Sequence, residues 1–205
     1  MKRVIAYVDG QNLYYGLRSR FGRRYHWLDI EKLTGSLLPA GHRLVAVEYF
    51  TARVRANPPS VHRQADYLIA MSKCCPRVRI VEGRFQRRTA TCRSCGSMWV
   101  TFDEKETDVN IAAAIVRDAA THAFDTALLV SGDGDLAPAI HAGRRLAPEA
   151  AFTVAWPPHR HSDALRAISD AAFTIGETKI RNAQLPDKVT LTDGTVLERP
   201  AYWRQ

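Results

Sequence analysis

Six short apolar runs, each separated from the next by a stretch with helical spacing, constrain this chain more than any other feature. The runs cover residues 3–8, 44–50, 78–85, 125–130, 151–156 and 171–175. They are rich in Val, Ile, Ala and aromatic residues and bounded by turn formers, the pattern of short strands. Between them, residues 11–20, 29–38, 60–73, 107–121, 136–145 and 163–170 read as helices. Ile30, Leu33 and Leu37 fall on one helical face, as do Val61, Ala65, Leu68 and Ile69, and Ser60 and Thr107 are the expected caps. This alternation predicts an α/β fold, a parallel sheet of five to six strands with helices on both faces.

Two segments break the alternation. Residues 84–105 form an insertion carrying cysteines and arginines. In the tail, Asp193–Gly194 is a hairpin turn signal flanked by β-formers. We therefore expect a domain over residues 1–180, with the insertion, and a β-hairpin tail over 181–205 lying against it. No stretch has the length of a membrane helix, and residues 4–8 are too short for a signal peptide. These features predict a cytoplasmic chain without a membrane partner. The net charge is +8, and 23 of the 29 basic residues are Arg. That balance favours a polyanionic partner, since guanidinium grips phosphate and stacks on bases.

Carboxylates recur just past strand ends. Asp9 closes the first run, and Asp133 and Asp135 follow the fourth in SGDGD. In an open parallel sheet, ligands bind beyond the carboxyl ends of strands where the strand order reverses. If these two runs are neighbours, the three acids meet. Asp108, in the first turn of a helix whose Ala112, Ile115 and Ala119 are apolar, should project to the same edge. Singly, each acid is also an ordinary cap or turn residue. Together, four carboxylates repel unless a divalent cation lies among them, and hard oxygen ligands suit Mg²⁺ or Mn²⁺. Asn12 and Ser131 are placed to support the set.

The segments VDGQNLYYGLR, EKETDVNIAAAIVRDA and DTALLVSGDGDLAPAI, with the tail LTDGTVLERPAYW, resemble the NYN domain in its LabA-like branch, which is similar to PIN-type nucleases. The resemblance covers residues 4–175. It implies a Rossmann-like (PIN-like) sheet and a divalent-metal endoribonuclease acting on RNA. By position it makes Asp9, Asp108, Asp133 and Asp135 the acidic site, supported by Asn12 and Ser131. The implied chemistry is metal-activated water attacking a phosphodiester, with Asp133 or Asp135 assisting its deprotonation.

Cations also follow strand ends: Arg53 and Arg55; Arg84, Arg87 and Arg88; His159, Arg160 and His161. They predict a basic rim holding an RNA backbone around the acids. Tyr14 and Tyr15 offer a stacking surface, with one of the two expected in the core. Cys92 and Cys95 form a CxxC knuckle, half of a zinc site. Cys74 and Cys75, or more weakly His62, are its candidate partners. Structural Zn²⁺ and reduced or locally bridged thiols both stay open.

The competing class is a catalytically silent RNA-binding or regulatory module on the same scaffold. A haloacid-dehalogenase-type phosphatase is disfavoured, because Gln11 stands where that chemistry needs a second Asp. The sequence leaves the oligomeric state open, a homodimer included.

Overall fold

In the computed structural model, which describes residues 1–54, 58–92 and 94–204, the chain runs through nine strands and seven helices among those residues. The strands are β1 (Lys2–Asp9), β2 (His42–Ala52), β3 (Val78–Thr91), β4 (Met98–Lys105), β5 (Thr126–Val130), β6 (Ala151–Trp156), β7 (Ala171–Thr174), β8 (Lys188–Thr190) and β9 (Val196–Glu198). The helices are α1 (Gly10–Phe21), α2 (Ile30–Ser36), α3 (Pro58–Cys74), α4 (Thr107–Ala120), α5 (Ala137–Leu146), α6 (Asp163–Ile168) and α7 (Glu177–Asn182). The main sheet has the order β4-β3-β2-β1-β5-β6-β7. All neighbours are parallel except β3 and β4. The six parallel strands thus take the doubly wound order, which reverses between β1 and β5.

Side-chain alternation divides the core into two layers. Val4, Ala6 and Val8 of β1 point into the layer holding Leu13 and Leu17 of α1, Ile30 and Leu33 of α2, and Leu68 and Met71 of α3. Ile5 and Tyr7 point the other way, towards Ile111 and Ile115 of α4, Ile140 of α5 and Leu165 of α6. Helices on both faces explain why the strands read as unbroken apolar runs. The tail hairpin β8–β9 forms at Asp193–Gly194 as expected, and Leu185, Val189 and Trp203 join the α1–α3 layer. The indole N–H of Trp27 donates to the Pro186 carbonyl at 2.8 Å, tying the tail to the body.

The insertion is a ribbon. β3 does not stop at residue 85; it pairs with β2 as far as Gly83, then with β4 from Arg84 to Thr91. Two caps also differ. Glu106, in the left-handed region (φ 77°), precedes α4 in place of Thr107, and Ser60 lies inside α3, its hydroxyl accepting from Arg63 at 3.0 Å.

On the α4 face, charges sit within the packed layer. Buried Glu48 of β2 accepts from Arg79 and Arg117. Arg117 also holds buried Asp118, which takes a 2.8 Å hydrogen bond from the Tyr7 hydroxyl. Burial, and then the Asp118 charge, pushes the Tyr7 phenol far above its ordinary range.

Candidate active site

The turn after β5 and the start of α1 are laced together. Asp9 is buried and caps α1, its Oδ1 accepting from the Asn12 backbone N–H at 2.9 Å. Its Oδ2 accepts from the fully buried Ser131 hydroxyl at 2.9 Å. Ser131 Oγ in turn accepts from the Asp133 N–H at 3.1 Å, and the Asn12 amide oxygen accepts from the Gly132 N–H at 3.0 Å. Asp133 then caps the short 3-10 turn Gly134–Leu136 through the Asp135 N–H at 2.9 Å. The bonds from the Asn12 and Asp135 N–H groups satisfy backbone donors that a helix start leaves open. The side chains at the strand switch point are therefore fixed from several directions.

Beside this lattice lies a cavity of about 200 Å³, lined by Asp9, Gln11, Asn12, Tyr15, Lys105, Glu106, Thr107, Asp108, Asp133 and Arg160. Asp108 reaches it from the first turn of α4, across the sheet from α1. Desolvation raises the Asp108 pKa first, and the charges of Asp133 and Asp135 raise it further. Asp135 does not line the cavity, but its charge is felt there. The four acids thus converge on one region without closing on one point. Among the described residues no three His, Cys, Asp or Glu side chains stand close enough to grip a single ion. The donor set still fits a hard, hydrated cation, since Mg²⁺ keeps several waters and needs only one or two carboxylates.

The basic residues divide. Arg160 lines the cavity, wedged against the turn: a Cβ on Gly132 would meet Arg160 Cβ at 2.8 Å. Arg53 is paired with Glu82 at 2.6 Å and Arg84 with Glu106 at 2.6 Å, and neither lines the cavity. His159 is exposed, with Nδ1 3.5 Å from the Ser19 hydroxyl. The His161 ring packs on Trp156 with centroids 4.1 Å apart. Arg55 and the side chains of Arg87 and Arg88 lie outside the described residues. Tyr14 and Tyr15 are both exposed, and Tyr15 lines the cavity. Sequence reasoning missed Lys105 and Glu106; they adjoin Asp108 in EKETD, and that adjacency was the available signal.

The cysteines are separated. Cys75 is buried, donates to Asp29 Oδ1 at 3.3 Å, and burial pushes its thiol up to about 12. It and Cys74 sit before β3, whereas Cys92 follows β3's far end. Fourteen residues of strand intervene, roughly 45 Å at about 3.3 Å per residue. Cys74 and Cys75 therefore cannot complete a site with Cys92 and Cys95, and His62 joins no such cluster among the described residues.

A doubly wound sheet with acids lining a cavity at its switch point places the chain among the α/β domains that bind ligands at that edge. Residues 3–176 match the NYN domain, and the chain belongs to that family. The 6-hydroxy-3-succinoylpyridine 3-monooxygenase HspA of Pseudomonas putida (strain DSM 28022 / S16) is 32% identical, over 67% of this chain and 54% of its own. This chain therefore spans about half the length of that relative. A crystal structure of a Vibrio parahaemolyticus RIMD 2210633 protein of unknown function shares the fold, with a TM-score of 0.57 and 19% identity over 86% of this chain and 94% of its own. No helix among the described residues is long and apolar enough to cross a membrane.

Proposed function

We propose that the cavity hydrolyses phosphodiester bonds of single-stranded RNA with the help of Mg²⁺ or Mn²⁺. The observation that carries this reading is Asp108, which shares with Asp133 a cavity flanked by Lys105 and Arg160; its proton affinity is raised first by desolvation and then by the charges of Asp133 and Asp135. Carboxylates that repel across a polar cavity, with cations on its wall, suit a metal and a phosphate together.

When bound, the ion would polarise the phosphate and lower the pKa of water. Asp108 and Asp133, with Asp135 beside them, would hold it. Asp9 acts through others: its two hydrogen bonds fix α1 and Ser131, which positions the Asp133 turn. Arg160 and Lys105 would neutralise the substrate phosphate.

The test is cleavage of a labelled single-stranded RNA with Mg²⁺ or Mn²⁺, with and without EDTA. Cleavage should require the metal and fall about 10²-fold or more in Asp133→Asn, the scale of losing one such group, with the thermal melt intact. Equal rates in variant and wild type overturn the reading. Metal-independent RNA binding without cleavage would indicate the silent module. A second reading rests on the relative named as a monooxygenase. Oxygen uptake with a hydroxypyridine substrate, and no RNA cleavage, would carry that chemistry to this chain.

A further inference from the structure

We propose that Cys92 and Cys95 are half of a tetrahedral thiolate zinc site, completed by the same two residues of a second copy of this chain. The pair sits at the outer end of the β3–β4 ribbon, with Cys92 following β3 and Cys95 in the turn before β4. The Cys92 N–H donates to the Ser97 carbonyl at 2.8 Å, and the Gly96 N–H donates back to the Cys92 carbonyl at 3.0 Å. Gly96 takes a left-handed conformation, φ 71°. The loop is closed on itself, with both thiols on one short turn.

The chemistry at this turn is soft. The Ser97 hydroxyl lies 3.0 Å from Cys95 Sγ and helps fix that thiol on the turn. Two neighbouring thiolates select zinc among common divalent ions, and a structural zinc takes four ligands. Two further ligands are missing here. Cys74 and Cys75 are the length of β3 away, and among the described residues no third His, Cys, Asp or Glu joins the pair. A closed tetrahedral site therefore draws its other half from outside the molecule.

Three observations make a second copy the occupant. The half-site is self-complementary under a two-fold axis, the commonest symmetry of soluble dimers. Met98 and Trp99, next to the turn, are 73% and 51% exposed, large apolar side chains that pairing of two tips would cover. Beyond Gly83 the ribbon has only two strands, an arrangement marginal without further support. Charge agrees as well. Four thiolates around one Zn²⁺ leave a net −2 on a ribbon whose sequence carries Arg87, Arg88 and Arg93 against Asp103 and Glu104. The four thiols release their protons to water as the ion binds.

The experiment uses the untagged full chain, reduced, with excess Mg²⁺ to occupy the carboxylates. Zn²⁺ is titrated while molar mass is followed by light scattering, and Co²⁺ substitution reports sulfur ligation by its thiolate charge-transfer absorbance. One Zn²⁺ per two chains, with a doubling of mass on metal addition, is expected. Both should be lost in Cys92→Ser and Cys95→Ser while circular dichroism stays unchanged. No zinc bound by the reduced protein, one ion per chain without doubling, or a dimer that persists in the serine variants would each overturn the proposal. The site is independent of RNA cleavage, so its failure leaves the nuclease reading untouched.

Discussion

The carboxyl of Asp108 gives up its proton less readily than an ordinary aspartate, first through desolvation and then through the charges of Asp133 and Asp135. The stability consequence has a definite sign. Between the ordinary value of 3.8 and the raised folded value, the folded chain holds this proton more tightly than the unfolded chain. Stability therefore rises as pH falls through that window and is lower above it, where folding must gather three negative charges. Asp108→Asn should flatten this part of the pH profile and leave the melting temperature at neutral pH unchanged or higher, while RNA cleavage falls. Mg²⁺ should raise the wild-type melting temperature and have little effect on the variant, because a ligand stabilises only the state that binds it. Scanning calorimetry with and without metal checks both. Asp9, Asp108 and Asp133 were legible in the sequence because strand ends and a helix start locate them. The neutralisation of Arg53 by Glu82 and of Arg84 by Glu106 was not, since it depends on which side chains meet across neighbouring elements.

Helix α4 carries Asp108 at one end and is locked to the sheet further along by Tyr7, Glu48, Arg117 and Asp118, of which Arg117 keeps about half of its side chain in solvent. Arg117 serves both buried acids, so its own loss would leave two charges short of a partner in the packed layer. Glu48→Ala frees two guanidiniums that water already reaches, so it should cost about 1–3 kcal/mol, below the range for a fully buried pair. Tyr7→Phe removes one hydrogen bond to a charged group and should cost about 1.5–3 kcal/mol. Urea denaturation monitored by circular dichroism gives both values. The parallel strands were readable because both their faces are buried, which leaves apolar runs. The outer half of β3, RFQRRTAT, has no such stripe, and a polar two-stranded ribbon is indistinguishable from a loop by composition. Helix α7 was missed for a related reason: one turn and a half offers too few positions for a period to show.

For the whole molecule, the surplus of positive charge is a statement about partners. Single-stranded RNA binding, measured with the cleavage-deficient Asp133→Asn protein, should weaken steeply with salt, the logarithm of affinity falling linearly with the logarithm of salt concentration. Lys105→Gln should lower that slope by about 0.7, the share of one phosphate contact on a single strand. Fluorescence anisotropy over a salt series reads it directly. The ribbon bears on this scale in another way. A Cβ on Gly83 would lie 2.7 Å from the Lys105 carbonyl and 2.8 Å from the Thr107 hydroxyl. The chain leaves and re-enters the body at almost the same spot. Everything between those two points can be lengthened, shortened or exchanged while the six parallel strands keep their pairing, so the arm is a replaceable attachment: a natural graft point at which one NYN body could acquire a different grip or a different mate.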